Sequence, residues 1–350
     1  MLDDIAGMYG LLMEYQVATP ASVLVAVMGD SSHFGFYGEN GAGGALDENS
    51  IFRIGSISKA MAGQVMAGMI ADGKVAAEAP VTEYLPDLPG TVFPDGTPMR
   101  MIDLVGQAAG LPRDLPVDPG PDDNPDQMQT LPAISAYLED TPLFFAPGTR
   151  LLYSNFGYQL LGAALGAAND SSYGAALEQY LTGPLGMEDT AIGVPEDKLG
   201  RLLPGYLFDD SEFPLMQPGD LLGASGGIFT TAKDMERWMR WNLSQEPDPV
   251  RDIFHAPHAD RSDFRSVSMM DESGHLDEMG MGWVIMHETE AQPYTLQKAG
   301  AHGGYMAYLA LAPEKQAAVF MMINKYDFDA DETMTALANS MLAALPGAMD

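Results

Sequence analysis

The sequence lacks cysteine altogether, which excludes disulfide bonds, thiolate metal ligands and cysteine nucleophiles. It also lacks an apolar run of about eighteen residues, the length that spans a bilayer, so no membrane span is expected. The first residues, Met1–Asp4, show neither the basic start nor the apolar core of a secretory signal. The chain as given is therefore expected to be cytoplasmic, or periplasmic or secreted if a signal was removed.

Basic residues are scarce: the chain has 17 basic and 49 acidic side chains, which give a formal net charge of −32. This charge excludes nucleic acid as a partner and favours neutral esters and amides, or substrates with a free amine, over anionic substrates. Two interpretations of the acidic composition remain open, adaptation to salt and tuning for solubility. The 350 residues, 46% of them hydrophobic, can bury a large core in one complex domain or two.

The most informative stretch is Ser56-Ile57-Ser58-Lys59, which joins a short predicted strand, 51–55, to a predicted helix, 57–72. Residues three apart share a helix face, so Ser56 Oγ and Lys59 Nζ can meet there. A serine hydroxyl needs a base to become a nucleophile, and a desolvated lysine can serve as one. Taken alone, the tetrapeptide also fits an exposed helix turn without chemistry.

Two further stretches support the chemical interpretation. Tyr153 and Asn155 stand at the entry to a predicted buried helix, where a phenol can relay a proton and an amide can hold the lysine and the substrate. His302-Gly303-Gly304-Tyr305 lies between two strand-like runs, and its glycines allow a substrate backbone to approach closely. The backbone N–H groups of Ser56 and Tyr305 are predicted to form an oxyanion hole.

All three elements occur in the order found in the serine β-lactamase and penicillin-binding-protein superfamily, which this sequence resembles over roughly residues 21–341. The nearest branch is the class C-related group, with its DD-carboxypeptidases, D-aminopeptidases and β-lactamase-like esterases. Further matching segments are 109–112 (Ala-Gly-Leu-Pro), 184–190 (Pro-Leu-Gly-Met-Glu-Asp-Thr), 226–231 (Gly-Gly-Ile-Phe-Thr-Thr) and 280–283 (Gly-Met-Gly-Trp).

The resemblance implies an α/β fold of the α+β type, β-lactamase/transpeptidase-like, with a central, mainly antiparallel sheet flanked by helices. Residues 1–75 and 223–350 are expected to form this sheet domain, and residues 76–222 a mostly helical lobe inserted in it. A first helix is predicted over Leu2–Gln16 and a last one from about Asp331 to Leu345.

The implied activity is that of a serine hydrolase that forms an acyl-enzyme on Ser56, without cofactor or metal. Lys59 and Tyr153 are expected to share the general-base role, while Asn155 orients Lys59 and binds the substrate amide. His302 is expected to polarise Tyr153 or to contact the substrate, beside Gly303 and Gly304.

The substrate is expected to be a small ester, amide or peptide, and the oligomeric state is open. Carboxylic esters and D-amino-acid-containing amides or peptides are the leading candidates. The alternatives are a class C-like β-lactamase or penicillin-binding DD-carboxypeptidase and, in another class, a non-catalytic β-lactam-binding sensor or scaffold.

Two departures from the family pattern stand out. Where relatives carry Lys-Thr-Gly, this chain is interpreted as having His302-Gly303-Gly304, which argues against efficient β-lactam turnover. Gly106-Gln107-Ala108 replaces a segment in which relatives often show a Thr-His pair, with no mechanistic reason evident from sequence.

Three other motifs suggest competing sites. Ser225, in a Gly-x-Ser-x-Gly pattern, could be the nucleophile of an α/β-hydrolase, although the flanking prolines favour a structural turn. His255 and His258 with Asp260 could suggest a metal, but Pro257 would break a helix that aligned them. The acidic run 327–332 is better explained by a capping box of Asp329 and Glu332 than by a calcium loop.

Overall fold

The computed structural model describes residues 1–17, 19–41, 43–118, 124–270 and 275–347. Its helices are α1 (Leu2–Gln16), α2 (Ser58–Ala71), α3 (Met101–Val105), α4 (Leu131–Asp140), α5 (Asn155–Ala168), α6 (Tyr173–Leu177), α7 (Gly183–Leu185), α8 (Asp220–Ser225), α9 (Ala232–Leu243), α10 (Pro249–His255) and α11 (Phe328–Ala344).

The strands are β1 (Ala21–Met28), β2 (Ser31–Gly38), β3 (Ile51–Arg53), β4 (Leu151–Leu152), β5 (Ala191–Ile192), β6 (Gly205–Tyr206), β7 (Glu212–Phe213), β8 (Ile228–Thr231), β9 (Ala259–Asp260), β10 (Val267–Ser268), β11 (Glu278–Met279), β12 (Val284–Met286), β13 (Thr295–His302), β14 (Tyr305–Ala312) and β15 (Ala317–Ile323). In the described ranges, eight of them form one sheet in the order β2-β1-β15-β14-β13-β12-β11-β9, with every neighbouring pair antiparallel.

Both faces of this sheet are covered, and the strand sequences explain why. Along β1, Val23, Val25 and Val27 point into the larger core, whereas Leu24 and Ala26 point into a second core. Successive side chains on a strand face opposite sides, so a strand buried on both faces is apolar throughout. Helices α1 and α11 close the second core, and α9 packs on the other face. The predicted architecture, a mainly antiparallel sheet flanked by helices, is confirmed.

Helix α2 is the element on which the site is built. Nearly every residue from Ser58 to Met69 is buried, so the helix is enclosed by protein rather than lying on the surface. A 3-10 turn, Gly55–Ile57, precedes it and connects it to β3. The serine of the motif therefore sits on a short turn at the end of a fully packed helix.

Two predicted details at the C-terminal end of the chain are wrong. Helix α11 begins at Phe328, three residues before the predicted start, and its cap is Asp327, whose Oδ1 accepts from the backbone N–H of Ala330 at 3.0 Å. The predicted capping box of Asp329 and Glu332 therefore does not form, since both residues lie inside the helix.

The division into two units at residues 75 and 222 stays a prediction. The strands of the large sheet come from residues 21–38 and 259–323, and α3 to α7 lie between them in sequence. A boundary after residue 222 would cut through α8. No helix among the described residues is long and apolar enough to cross a membrane.

Candidate active site

Ser56 lies where the turn 55–57 touches strand β13. Gly55 has φ +51°, and a Cβ there would stand 2.6 Å from the backbone nitrogen of Ala301. A Cβ on Gly300 would stand 2.8 Å from the backbone nitrogen of Ser56. Real side chains do not tolerate such distances, so both positions require glycine. The two glycines bring the backbone of β13 against the serine.

Lys59 contacts three oxygen atoms. Its Nζ lies 3.1 Å from Ser56 Oγ, 2.7 Å from Asn155 Oδ1 and 2.5 Å from the carbonyl oxygen of Ser225. A neutral amine has two N–H donors and one lone pair. Since the amide and carbonyl oxygens can only accept, they take the two donors, and the lone pair then faces the hydroxyl of Ser56.

The surroundings of Lys59 favour this neutral form. The side chain is fully buried, and burial holds its pKa well below the usual value, with further lowering by the positive charges of Lys298 and Arg113. Asp114 acts in the opposite direction with a smaller effect. A lysine in this environment can take a proton from serine near neutral pH.

Tyr153 lies on the other side of Ser56, and its hydroxyl donates to Ser56 Oγ. Two cationic groups lie near the ring, Lys298 Nζ and the Arg113 guanidinium, each 5.1 Å from its centre, and the neutral Nζ of Lys59 lies 4.8 Å from it. Positive charges at this distance stabilise a phenolate as the hydroxyl gives up its proton. The tyrosine is therefore placed to donate a proton during the reaction.

Asn155 is held on both sides of its amide. Its Oδ1 accepts from Lys59, and its Nδ2 donates to Asp114 Oδ1 at 2.7 Å. Its backbone N–H donates to the carbonyl of Arg113 at 2.7 Å. These contacts fix which end of the amide faces the lysine, so the predicted contact between Asn155 and Lys59 is present.

Gln107, the residue without a role at the sequence level, supports the segment that carries Tyr153. Its Oε1 accepts from the backbone N–H of Ser154 at 2.7 Å, and its backbone carbonyl accepts from Leu152 at 3.0 Å. It is buried and has φ +61°, a conformation that costs energy for a residue with a Cβ. The hydrogen bonds on both sides of Tyr153 compensate for this strain.

His302 lines the same cavity as Ser56. Its Nε2 faces Asp126 Oδ1 at 3.6 Å, and Arg53 binds the other oxygen of that carboxylate from behind. Burial and the positive charge of Arg53 hold the pKa of His302 well below its usual value, so the imidazole is neutral at pH 7. Its position fits substrate contact, the second of its two predicted roles.

The structure corrects the position of the Lys-Thr-Gly element. Gly303 and Gly304, with φ +64° and +84°, form the turn between β13 and β14, and Tyr305 pairs with His302 beyond that turn. The Tyr305 hydroxyl donates to the carbonyl of Leu203, and its ring lines a separate small cavity. The structure thus brings Ala301, rather than Tyr305, to the serine.

Lys298-Ala299-Gly300, on β13, has the lysine–glycine spacing of Lys-Thr-Gly and lies beside Ser56, a placement that the sequence interpretation missed. Strand β12 pairs only with residues 295–297 of β13, so among the described strands residues 298–302 have a partner on the β14 side alone. This open edge faces Ser56. The signal was present in the sequence as a lysine two residues before a glycine in a strand-like run.

Two cavities meet at Ser56. One, here named the Lys298 cavity, measures about 490 Å³, and the other, the Gln159 cavity, about 240 Å³. The Lys298 cavity is lined by Ser56, Arg113, Tyr153, Met269, Met270, Val284, Gln297, Lys298, Ala299, Gly300, Ala301, Met306, Phe328, Asp331 and Glu332. The Gln159 cavity is lined by Ser56, Arg113, Asp114, Pro125, Asp126, Gln129, Asn155, Gln159, Leu222, Ser225, Gly226, Ala301 and His302.

The competing nucleophile, Ser225, has a different role. It is buried at the end of α8, and its Oγ donates to the carbonyl of Leu222 at 3.2 Å. An α/β-hydrolase elbow needs a strand before the serine and a helix after it. Here helix α8 comes first and strand β8 follows, so the motif is a turn whose carbonyl holds Lys59.

The two histidines of the possible metal motif do not converge. His255 Nε2 contacts Asn242 Oδ1 at 2.8 Å, while the buried Nδ1 of His258 has no hydrogen-bond partner in the described part of the chain. Burial lowers the pKa of each to about 4. Within the described ranges, no group of three or more histidine, aspartate or glutamate side chains is arranged to hold a metal ion.

Comparison with known proteins agrees with this geometry. The family model described as Beta-lactamase matches residues 11–341. The chain belongs to the β-lactamase family. It is 30% identical to the D-alanyl-D-alanine-carboxypeptidase/endopeptidase AmpH of Escherichia coli K12, over 98% of this chain and 89% of that protein. It is 27% identical to a β-lactamase of Pseudomonas fluorescens, over 93% and 94% of the two chains.

Solved structures show the same fold. A β-lactamase/D-alanine carboxypeptidase from Yersinia pestis, complexed with citrate, superposes with a TM-score of 0.88 at 28% identity, covering 98% of this chain and 97% of that one. A class C β-lactamase superposes with a TM-score of 0.81 at 21% identity, covering 99% and 97%. The predicted family and fold are confirmed. As a member of this family, the protein is a serine hydrolase.

Proposed function

We propose that this enzyme is a D-alanyl-peptide hydrolase of the carboxypeptidase type, which releases a C-terminal D-residue through an acyl-enzyme on Ser56. The observation that carries the proposal is the pair of cations, Lys298 and Arg113, beside Tyr153 in the Lys298 cavity. A leaving group with a carboxylate would lie against these charges. The carboxypeptidase name of the Escherichia coli relative, at 30% identity, supports the same substrate class.

For a leaving group bound beside Tyr153, the positive charges in the Lys298 cavity matter more than the net negative charge of the protein. The net charge of −32 disfavours the approach of anions, but at physiological ionic strength its influence decays over about 8 Å. Within the cavity the nearest charges to the phenol are cationic. An anionic leaving group is therefore compatible with an acidic protein.

Acylation uses the contacts already made by the resting side chains. Lys59 takes the proton of Ser56 Oγ, which attacks the substrate carbonyl, and the backbone N–H groups of Ser56 and Ala301 bind the developing oxyanion. Tyr153 gives its proton to the nitrogen of the leaving residue. The products are an acyl-serine, a protonated Lys59 and a Tyr153 phenolate surrounded by cations.

Deacylation reverses these transfers. The phenolate of Tyr153 takes a proton from a water molecule, whose oxygen attacks the acyl carbon. Ser56 Oγ leaves and receives the proton held by Lys59, which restores both groups to their starting forms. Asn155 holds Lys59 in place throughout, and the open edge of β13, residues 298–302, can pair with the substrate backbone as an added strand.

The test compares peptides that end in D-Ala-D-Ala, in D-Ala-L-Ala and in D-Ala-D-Ala amide. We expect release of the last residue from the first peptide, with kcat/KM at least about tenfold above that for the amide, because a carboxylate paired with a cation is worth roughly 1.5–3 kcal/mol. Lys298→Met should remove most of this preference, and Lys74→Met, in the turn that follows α2, serves as the matched control. Equal rates for acid and amide would refute the proposal.

Carboxylic ester hydrolysis is the second candidate. Met269, Met270, Val284 and Met306 give one side of the Lys298 cavity an apolar lining that suits an uncharged leaving group. Turnover of p-nitrophenyl butyrate without release of D-alanine from any peptide would make the enzyme an esterase. Stoichiometric acylation without turnover of either substrate would make it a sensor.

A further inference from the structure

The Lys298 cavity is larger than a leaving D-alanine needs. It measures about 490 Å³, within the range of about 300–1,000 Å³ for pockets that enclose drug-sized ligands. The side chain of alanine is a single methyl group, and its carboxylate takes up only the part of the cavity beside Lys298 and Arg113. The rest of the cavity can therefore accept a larger side chain on the leaving residue.

The cavity extends around the open edge of β13 to the face of the sheet that α11 covers. Ala301 pairs with Met306 on β14, and side chains of directly opposed residues lie on the same face. Met306 belongs to the second core, which α11 closes, so Ala301 lies on this face too. Lys298, three residues earlier on β13, points to the opposite face, toward the ring of Tyr153. A leaving residue at this edge can thus direct its carboxylate to one face and its side chain to the other.

Phe328 forms part of the cavity wall on the α11 face. It is the first residue of α11 and is 67% exposed. The backbone N–H of the preceding residue, Asp327, donates to Met306 Sδ at 3.3 Å, which ties the start of the helix to β14. A large exposed aromatic ring in the wall of an active-site cavity is suited to contact an apolar part of a ligand.

Other aromatic rings support Phe328 from outside the cavity. The ring of Phe208, in the turn between β6 and β7, is centred 5.3 Å from the ring of Phe328 and 5.7 Å from that of Tyr326. The hairpin is bound to the segment before α11, because the backbone N–H of Tyr326 donates to the carbonyl of Tyr206 at 2.9 Å. A wall that is ordered in this way loses little conformational entropy when a ligand binds.

Two carboxylates, Asp331 and Glu332, line the same cavity. They follow Phe328 by three and four residues and so lie on the same face of α11. Glu332 is exposed and Asp331 is partly exposed. Both disfavour an anionic side chain, whereas a cationic one gains little, since an ion pair between solvent-exposed groups contributes little. The apolar ring therefore decides which side chain is preferred.

We propose that the D-residue released by this enzyme carries a large apolar or aromatic side chain, which binds against Phe328. This inference rests on the proposed function, because it uses the assignment of the leaving residue to the Lys298 cavity. The carboxylate of that residue lies beside Lys298 and Arg113, and its side chain passes the edge of β13 to reach the ring. Phe328 thus determines specificity for the leaving residue.

The experiment measures kcat/KM for release of the last residue from peptides that end in D-Ala-D-Ala, D-Ala-D-Phe, D-Ala-D-Lys and D-Ala-D-Glu. We expect the D-Phe peptide to exceed the D-Ala peptide at least about tenfold, the lower end of the range for filling an apolar pocket. Phe328→Ala should reduce this ratio at least about fivefold. Phe144→Ala, which removes a similarly exposed ring outside both cavities, should leave the ratio at the wild-type value. A D-Lys peptide cleaved faster than the D-Phe peptide would overturn the proposal.

Titration with free D-phenylalanine and D-alanine, followed by saturation-transfer NMR, tests the same contact without turnover. Suppose that the protein hydrolyses none of the peptides, yet binds D-phenylalanine more tightly than D-alanine and loses this difference in Phe328→Ala. That result would contradict the proposed function and leave the apolar subsite in place. Equal rates for the D-Ala and D-Phe peptides in an active enzyme would overturn the subsite alone, and so would an unchanged ratio in a folded Phe328→Ala variant.

Discussion

The role assigned to Gln107 gives a prediction that separates its hydrogen bond from its backbone strain. Replacing Gln107 by Ala removes the acceptor for the Ser154 N–H, which is then buried without a partner. Such a loss costs about 1–3 kcal/mol. With an unfolding entropy of about 2 cal/mol/K per residue, this lowers the Tm of a chain of this size by roughly 1–4 °C.

The effect on activity should be larger than the effect on stability. Ser154 directly follows Tyr153, whose hydroxyl must stay in contact with Ser56, so we expect kcat/KM for p-nitrophenyl acetate to fall at least about tenfold in Gln107→Ala. Two matched variants separate the causes. Gln107→Glu keeps an acceptor at the same position and should recover most of the activity.

Gln107→Gly lacks the acceptor but relieves the positive φ of +61°. It should therefore unfold at a higher temperature than Gln107→Ala while remaining equally impaired in turnover. The assays are thermal unfolding and steady-state kinetics on all three variants. Wild-type kcat/KM in the alanine variant, or a glutamate variant no better than alanine, would refute the assigned role.

Three further predictions concern the nucleophile, the base and the acidic composition. Ser225→Ala should leave turnover nearly intact, because only the carbonyl of Ser225 contacts Lys59; a loss comparable to that of a nucleophile variant would contradict this. Lys298→Met should move the acid limb of the pH profile of kcat/KM for p-nitrophenyl acetate to higher pH. It removes a charge that lowers the pKa of Lys59, which must be deprotonated to act; an unmoved limb would argue that Lys59 is not the base. Added salt should raise the Tm between low and molar concentration by screening a net charge of −32, and a flat or falling trend would favour the solubility interpretation.

Local sequence signals predicted several elements and the residues around the serine, whereas the fold class followed from the resemblance to the family. The serine–lysine spacing, the Tyr153–Asn155 segment and the apolar strands each have a short-range pattern, and the structure brings Ser56, Lys59, Tyr153 and Asn155 together. Helix α1 was predicted to its end residues.

The errors arose where position depends on how distant strands pair. In the sequence, Gly303-Gly304 and the pair Lys298 and Gly300 look equally suited to lie beside a bound substrate. Only the register of β13 against β14 shows which of the two segments reaches Ser56. Arg113 and Asp126 lie in segments outside the helices and strands, so no periodicity in the sequence predicts their positions. The start of α11 was predicted too late in the chain because three aspartates at alternate positions could each cap the helix. Only the structure shows that Asp327 is the cap.

Whether Ser56 carries the acyl group can be measured by acid-quenching the enzyme during turnover of p-nitrophenyl acetate and locating the acetyl group by peptide mass spectrometry. We expect an acetylated peptide that contains Ser56 in the wild-type enzyme, and neither label nor turnover in a folded Ser56→Ala variant. Acetylation of Ser225, or turnover retained by Ser56→Ala, would contradict it.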